Sequence, residues 1–128
     1  MTGLLAGRRI LVVEDEMLVL MNIEMALEDL GCTAISAAAS IAEALALLDD
    51  KSFDAAMLDV NLQGERSYPV AEALARRDIP FAFSTGYGDH GDRADFADRP
   101  VLRKPYLRCE LVAVLGALVT PDPVGAAA

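Results

Sequence analysis

Four short stretches of this 128-residue chain carry groups that could do chemistry together. Glu14, Asp15 and Asp59 supply carboxylates, Thr85 a hydroxyl, and Lys104, directly before Pro105, an ammonium. Hard divalent cations take a few carboxylates plus carbonyl, phosphate and water oxygens, so such acids make a candidate cation site. Carboxylates held close together repel one another, and a divalent ion or an ammonium relieves that repulsion. A carboxylate can also attack phosphorus and form an acyl phosphate. A metal, a lysine and a threonine hydroxyl around it would stabilise the equatorial oxygens of the transferring group. Lys104 stands out further because nine of the 11 basic residues are arginines and the only other lysine is Lys51.

Each group alone has a plainer reading. Glu14, Asp15 and Glu16 suit the positive end of a helix dipole. Asp59 could cap a turn, Thr85 could serve as a strand former and Lys104 as surface charge. The decision rests on whether the chain brings them to one place, and so on the elements that carry them.

Arg9–Val13 is a short apolar run rich in β-branched residues and reads as a buried strand. Residues 17–30 read as a helix with Leu18, Met21, Met25, Ala26 and Leu30 as its apolar stripe and Gly31 at the C′ position. Residues 33–38 form a second strand. Ser40 then opens a capping box with Glu43 at N3, on a helix reaching about Asp50. Residues 53–58 are the third strand. Pro69 fits the first turn of a helix ending near Arg77, and Pro80 introduces a strand over 81–84. Val101–Arg103 is the last strand and 106–119 the last helix. In that helix Leu107, Leu111, Val114, Leu115 and Leu118 are expected to face the core. Val112, Gly116 and Val119 make a second apolar stripe, covered either by the tail or by a second copy of the chain.

Strands separated by helices imply βαβ crossovers and a parallel sheet, here an α/β (βα)5 sandwich of three layers. In such sheets ligands bind outside the carboxyl ends of the strands, where strand order reverses. Strand one ends in Glu14-Asp15, strand three in Asp59 and strand four in Ser84-Thr85-Gly86, while strand five runs into Lys104-Pro105. Strand two ends in alanines. The carboxylates, a hydroxyl and the ammonium therefore converge on one sheet edge, which the plainer readings do not explain.

The remaining composition narrows the classes. The chain has the length of one compact domain, and its 54% hydrophobic and 24% charged residues mark it as globular. A net charge of −9 argues against nucleic-acid or anionic-membrane binding, which need a positive surface. No apolar run approaches the roughly 18 residues of a membrane span. Arg8 and Arg9 follow the apolar start, the reverse of a secretory signal, and only two cysteines occur, which points to the cytoplasm. Cys32 and Cys109 are expected as two buried thiols.

Ile10-Leu11-Val12-Val13-Glu14-Asp15-Glu16, Ala56-Met57-Leu58-Asp59-Val60-Asn61, Ser84-Thr85-Gly86 and Lys104-Pro105 together resemble the signature of receiver domains of two-component response regulators. The resemblance covers about residues 8–119 as the domain and leaves 120–128 as a frayed tail. It implies a flavodoxin-like sandwich with strand order 2-1-3-4-5. It implies Asp59 as phosphoacceptor in a Mg²⁺-dependent reaction, with Thr85 and Lys104 holding phosphoryl oxygens. Asp15 and Asp59 would ligate Mg²⁺ directly, Glu14 through water and Asn61 through its backbone carbonyl. Pro105 resembles the family's cis-proline position, and Asn61 and Tyr87 sit where members tune dephosphorylation. The implied partner is a sensor histidine kinase or phosphotransfer protein.

The chain departs from the common pattern in three places. The loop after Asp59 lacks the usual proline. Val101 stands where many receivers have the aromatic residue that couples to the threonine. Phe83-Ser84-Thr85-Gly86-Tyr87-Gly88 resembles the FAT GUY group, whose members suggest a kinase of the HWE or a related type, but with serine for alanine. Gly86, Gly88 and Gly91 each make a helix start costly, by about 1 kcal/mol relative to alanine. A short or mobile fourth helix near 93–97 is expected, ordered by phosphorylation. His90, the only histidine, lies in this Gly/Asp-rich loop and reads as a solvated residue rather than a phosphohistidine.

The chain ends soon after the fifth helix, so a single-domain regulator acting as relay, phosphate sink or contact switch is expected rather than an enzyme. An aspartate-nucleophile phosphatase is disfavoured because position 61 is Asn, where such enzymes place a second acid. A flavin protein lacks its glycine-rich phosphate loop after strand one. A degenerate adaptor would not need Asp15, Asp59, Thr85 and Lys104 together.

Overall fold

The structure, a computed structural model, describes residues 5–86, 99–104 and 106–119. The strands are β1 (Arg9–Val13), β2 (Ala34–Ala38), β3 (Ala55–Asp59), β4 (Asn61–Leu62), β5 (Glu65–Arg66), β6 (Phe81–Thr85) and β7 (Val101–Arg103). The helices are α1 (Met17–Asp29), α2 (Ile41–Asp50), α3 (Tyr68–Arg76) and α4 (Arg108–Val119). Five strands form a parallel sheet in the order β2-β1-β3-β6-β7. With the two-residue strands β4 and β5 set aside, this is the expected order 2-1-3-4-5. The fourth-helix expectation near 93–97, Tyr87, His90, Pro105 and the tail 120–128 lie outside the described residues.

Alternation along the strands builds two cores, one on each sheet face. Leu11, Val13, Ala56, Leu58, Phe81 and Phe83 face Ala44 and Leu48 of α2 and Val70 and Leu74 of α3. Ile10, Val12, Ala55, Met57 and Ala82 face Ile23 and Leu27 of α1 and Leu111 and Leu115 of α4. Because the central strands are covered on both sides, they read as unbroken apolar runs rather than alternating ones. Leu5 joins the second core fully buried, tied by its N–H to the Leu30 carbonyl at 2.9 Å.

The helix ends follow their sequence signals. Ser40 Oγ accepts the Glu43 N–H at 3.1 Å, and Glu43 reaches back to the Ala39 N–H, one residue before the cap. After α1, Gly31 takes φ +90°, and the Gly31 and Cys32 N–H groups donate to the Glu28 and Leu27 carbonyls, a complete Schellman motif. The end of α3 repeats this geometry with Asp78, at φ +56°, in the position glycine usually takes.

Three expectations are corrected. On α1 the buried residues are Ile23, Ala26 and Leu27, whereas Met17 (67%), Leu18 (76%), Met21 (49%) and Met25 (55%) are exposed. The helix is apolar on two sides, and the sheet takes the side carrying Ile23 and Leu27. On α4 the helix starts at Arg108, so Leu107 lies before it and is exposed, with its N–H bonded to the Glu110 carboxylate; Val119 is buried in the core. Cys32 is buried as expected, but Cys109 is exposed, and both are free thiols.

Candidate functional site

The parallel register sets the strand ends level. Val13 pairs with Ala38 and Leu58, Asp59 with Ser84, Ser84 with Leu102, and Thr85 with Arg103. Three backbone bonds carry the ladder past the strands: Glu14 N–H to the Ala38 carbonyl, Val60 N–H to the Ser84 carbonyl and Lys104 N–H to the Thr85 carbonyl at 2.7 Å. Parity then sorts the side chains. Glu14 follows Ile10 and Val12, Asp59 follows Met57, Ser84 follows Ala82 and Lys104 follows Leu102, so all four belong to the α1/α4 face. Thr85, buried at 4%, has the parity of Phe83 and the opposite face.

The result is an acid cluster around one ammonium, with Glu14 and Asp59 buried and Glu16 exposed. Ligand oxygens of Glu14, Asp15, Glu16 and Asp59 all lie within 4.8 Å of one another. Lys104 Nζ donates to Asp59 Oδ2 at 2.9 Å, to Glu14 Oε2 at 3.1 Å and to Glu16 Oε1 at 3.3 Å. Asp59 is 3% and Glu14 1% exposed, so neither carboxylate can rely on bulk water. Asp59 Oδ1 accepts the Asn61 N–H, leaving the two Asp59 oxygens with different partners.

Burial pushes the Glu14 carboxyl up to about 7; the neighbouring Asp59 adds to this, and the Lys104 bond opposes it. For Lys104 burial works downwards, but Glu14 and Asp59 outweigh it and hold the ammonium above its ordinary range. The set is oxygen-only, acidic and compact, which fits a hard divalent cation. A buried Glu14 oxygen, Oε1, also lacks an aligned hydrogen bond.

The segment after Asp59 folds as a hairpin. Asn61–Leu62 and Glu65–Arg66 pair antiparallel around Gln63 and Gly64, both at positive φ, the backbone of a tight two-residue turn. The turn seats the acids: the Gln63 N–H donates to Asp15 Oδ2 at 3.0 Å, and the Gly64 N–H to Asn61 Oδ1 at 2.9 Å. Sequence reading missed this role of Gln63, for which the Gln-Gly pair was the available signal. It also left out Glu16, visible only as the third acid in a row. Ser84 and Tyr106 were passed over as well, and both hydroxyls are buried here. Val101 is 50% exposed on the far strand, and Gly86 lines a cavity beside Lys104.

Comparison with known proteins supports the same fold and family. Residues 10–115 match the response regulator receiver domain. The chain is 35% identical over 127 residues to the transcriptional regulatory protein TcrA of Mycobacterium tuberculosis, covering 95% of this chain but 50% of TcrA, so it spans about half the length of that relative. The solution structure of SdrG from Sphingomonas melonis Fr1 is 48% identical, covers 93% of this chain and 100% of that one, and superposes with a TM-score of 0.80. The BeF3-activated conformation of SdrG from Pseudomonas melonis Fr1 gives 47% identity, 94% and 100% coverage and a TM-score of 0.75. The receiver domain of sensor histidine kinase PA1611 from Pseudomonas aeruginosa PAO1, with magnesium coordinated in its active-site cleft, is 26% identical, with 89% and 98% coverage and a TM-score of 0.76. With the level strand ends, the acid cluster and the lysine that joins them, this chain belongs to the response regulator receiver domain family of two-component systems.

Proposed function

We propose that this chain is a single-domain response regulator that accepts a phosphoryl group on Asp59 and signals by conformational change and protein contact in the cytoplasm. The observation that carries this reading is the Lys104 ammonium 2.9 Å from Asp59 Oδ2 inside the acid cluster. The resemblance over the whole length of the SdrG chain supports the single-domain form.

An Asp59 oxygen attacks phosphorus, the bond from phosphorus to the donor imidazole breaks, and an acyl phosphate forms as the imidazole leaves. Lys104, and Thr85 at the same edge, hold the transferred oxygens, and Asn61 keeps the carboxylate oriented through its N–H. Asp15, Asp59 and the Asn61 carbonyl would hold Mg²⁺, with Glu14 acting through water. That ion supplies positive charge against the mutual repulsion of acids and phosphoryl oxygens. Asn61 and Tyr87, each two residues beyond a site residue, tune the return by hydrolysis, and Gly86, Val101 and Pro105 belong to the switch.

The donor is a histidine kinase, of the HWE or a related type, or a phosphotransfer protein. Its docking face is α1, where Met17, Leu18, Met21 and Met25 expose an apolar stripe on the helix that begins beside Glu16. Flexible, polarisable methionines suit such a surface. Compared with this stripe, the half-buried Val112 and Gly116 of α4 offer less apolar area to a homodimer.

The test is incubation with Mg²⁺ and acetyl phosphate, followed by intact mass. An acid-labile phosphoryl adduct is expected on the native chain and absent from Asp59→Asn. No adduct on the native chain, or an undiminished one on the variant, overturns the reading.

A further inference from the structure

Four acids line the site, and Lys104 holds three of them: Glu14, Glu16 and Asp59. Asp15 is held differently. Among the described residues its side chain takes one donor, the Gln63 backbone N–H, 3.0 Å from Oδ2 and 48 positions away in sequence. Gln63 sits at the tip of the hairpin of β4 and β5, in the loop where the usual proline is missing.

The hairpin has a fixed base. Leu62, 2% exposed, belongs to the core shared with α2 and α3. The Ser67 N–H donates to the Val60 carbonyl at 2.9 Å and closes the ladder below the paired strands. Asn61 donates its N–H to Asp59 Oδ1 at 3.2 Å, and its side-chain Oδ1 accepts the Gly64 N–H at 2.9 Å. The tip depends on backbone that few residues adopt readily, with Gln63 at φ +54° and Gly64 at φ +86°. One anchored piece therefore serves three of the groups assigned to Mg²⁺. It meets Asp59 through the Asn61 N–H, carries the Asn61 carbonyl, and meets Asp15 through the Gln63 N–H.

Partners behind the ligands of a metal fix their orientation, and losing one costs affinity for the ion. The cost depends on the ion. Mg²⁺ demands near-ideal octahedral geometry, whereas the larger Ca²⁺ accepts irregular and flexible oxygen ligands. A carboxylate free to turn is thus a greater handicap for Mg²⁺ than for Ca²⁺.

We propose that the Asn61–Arg66 hairpin is a clip that sets the cation preference of the site. By pinning Asp15 to the frame that carries Asp59 and Asn61, it favours Mg²⁺ over Ca²⁺. The inference rests on the acid cluster being the Mg²⁺ site. Gln63 is a positioning residue, acting on the ion through its backbone amide and Asp15.

The test is calorimetric titration of the full chain with Mg²⁺ and, separately, with Ca²⁺, no phosphodonor being present. Gln63→Pro removes the amide. Gly64→Ala strains the turn at φ +86°, and a Cβ there meets nothing within 4 Å, so it acts through the backbone alone. Gln63→Pro should weaken Mg²⁺ binding about tenfold and Ca²⁺ binding by less than about threefold. Gly64→Ala should move the ratio of the two affinities the same way by a smaller factor, and it carries the test alone if Gln63→Pro does not fold. Leu74→Ala, a stability change away from the site, should leave the ratio at its native value. Native Mg²⁺ affinity in the folded variants, equal losses for both ions, or a native chain that prefers Ca²⁺ would overturn the clip. A native chain that binds neither ion would instead overturn the metal reading beneath it.

Discussion

The helix ends and the floor of the site treat polar groups in opposite ways. At the end of α1 and of α3 the Schellman bonds satisfy carbonyls that a helix would otherwise leave open, and Ser40 serves the start of α2. At the carboxyl edge of the sheet, acids are crowded around one lysine, and three buried oxygens lack an aligned partner. Those helix ends are thus locally satisfied, with Ser67 Oγ at the start of α3 as an exception, while the site is held in tension by the scaffold around it. Local conflict of this kind is expected where a protein works rather than where it merely folds. The lesson is that stability and chemistry are separable here and can be perturbed one at a time.

The sharpest separation should come from Leu74, fully buried between α3 and the sheet. Leu74→Ala should cost about 3 kcal/mol in denaturant unfolding. Adduct formation from acetyl phosphate should stay at the native rate below the melting temperature. A large rate loss in the folded variant would break the comparison.

The site should show its tension through pH. Glu14 titrates near 4.5 when unfolded and about 7 in the fold, so the native state holds the proton more tightly. Between those values the unfolded state binds fewer protons, and stability must fall as pH rises. The effect is absent below pH 4.5 and complete above about 7. In chelator-treated protein, melting across this window should show a loss on the order of 3 kcal/mol, absent from Glu14→Gln.

At the satisfied end, Ser40→Ala should cost about 1 kcal/mol through the lost cap and leave the chemistry alone. The smallest effect is expected at Asp78, where a non-glycine residue sits at φ +56°. Asp78→Gly should gain about 0.5 kcal/mol, a balance of relieved backbone strain against a more flexible unfolded chain. Thermal melts of both variants at one pH check the pair.

The same division explains what could be read from sequence. β1 and β7 were legible to the residue, because a short apolar run beside charged neighbours has few other places to go. The convergence of Glu14, Asp15, Asp59 and Lys104 followed from strand ends alone, since a parallel sheet aligns them, whereas the sheet order came only with the family resemblance. The buried face of α1 was not legible. Leu18, Met21 and Met25 have helical spacing as good as that of Ile23, Ala26 and Leu30, and only the sheet decides between them. The β4–β5 hairpin was hidden because two-residue strands have no periodicity.

The exposed stripe on α1 has a chemical consequence of its own. Met17, Met21 and Met25 present thioethers to solvent, whereas Met57 lies 1% exposed inside the core. Peroxide would therefore reach the three surface sulfurs first and turn an apolar face into a polar, chiral sulfoxide one. The core would be untouched, and a reductase could restore the helix surface without the protein ever unfolding.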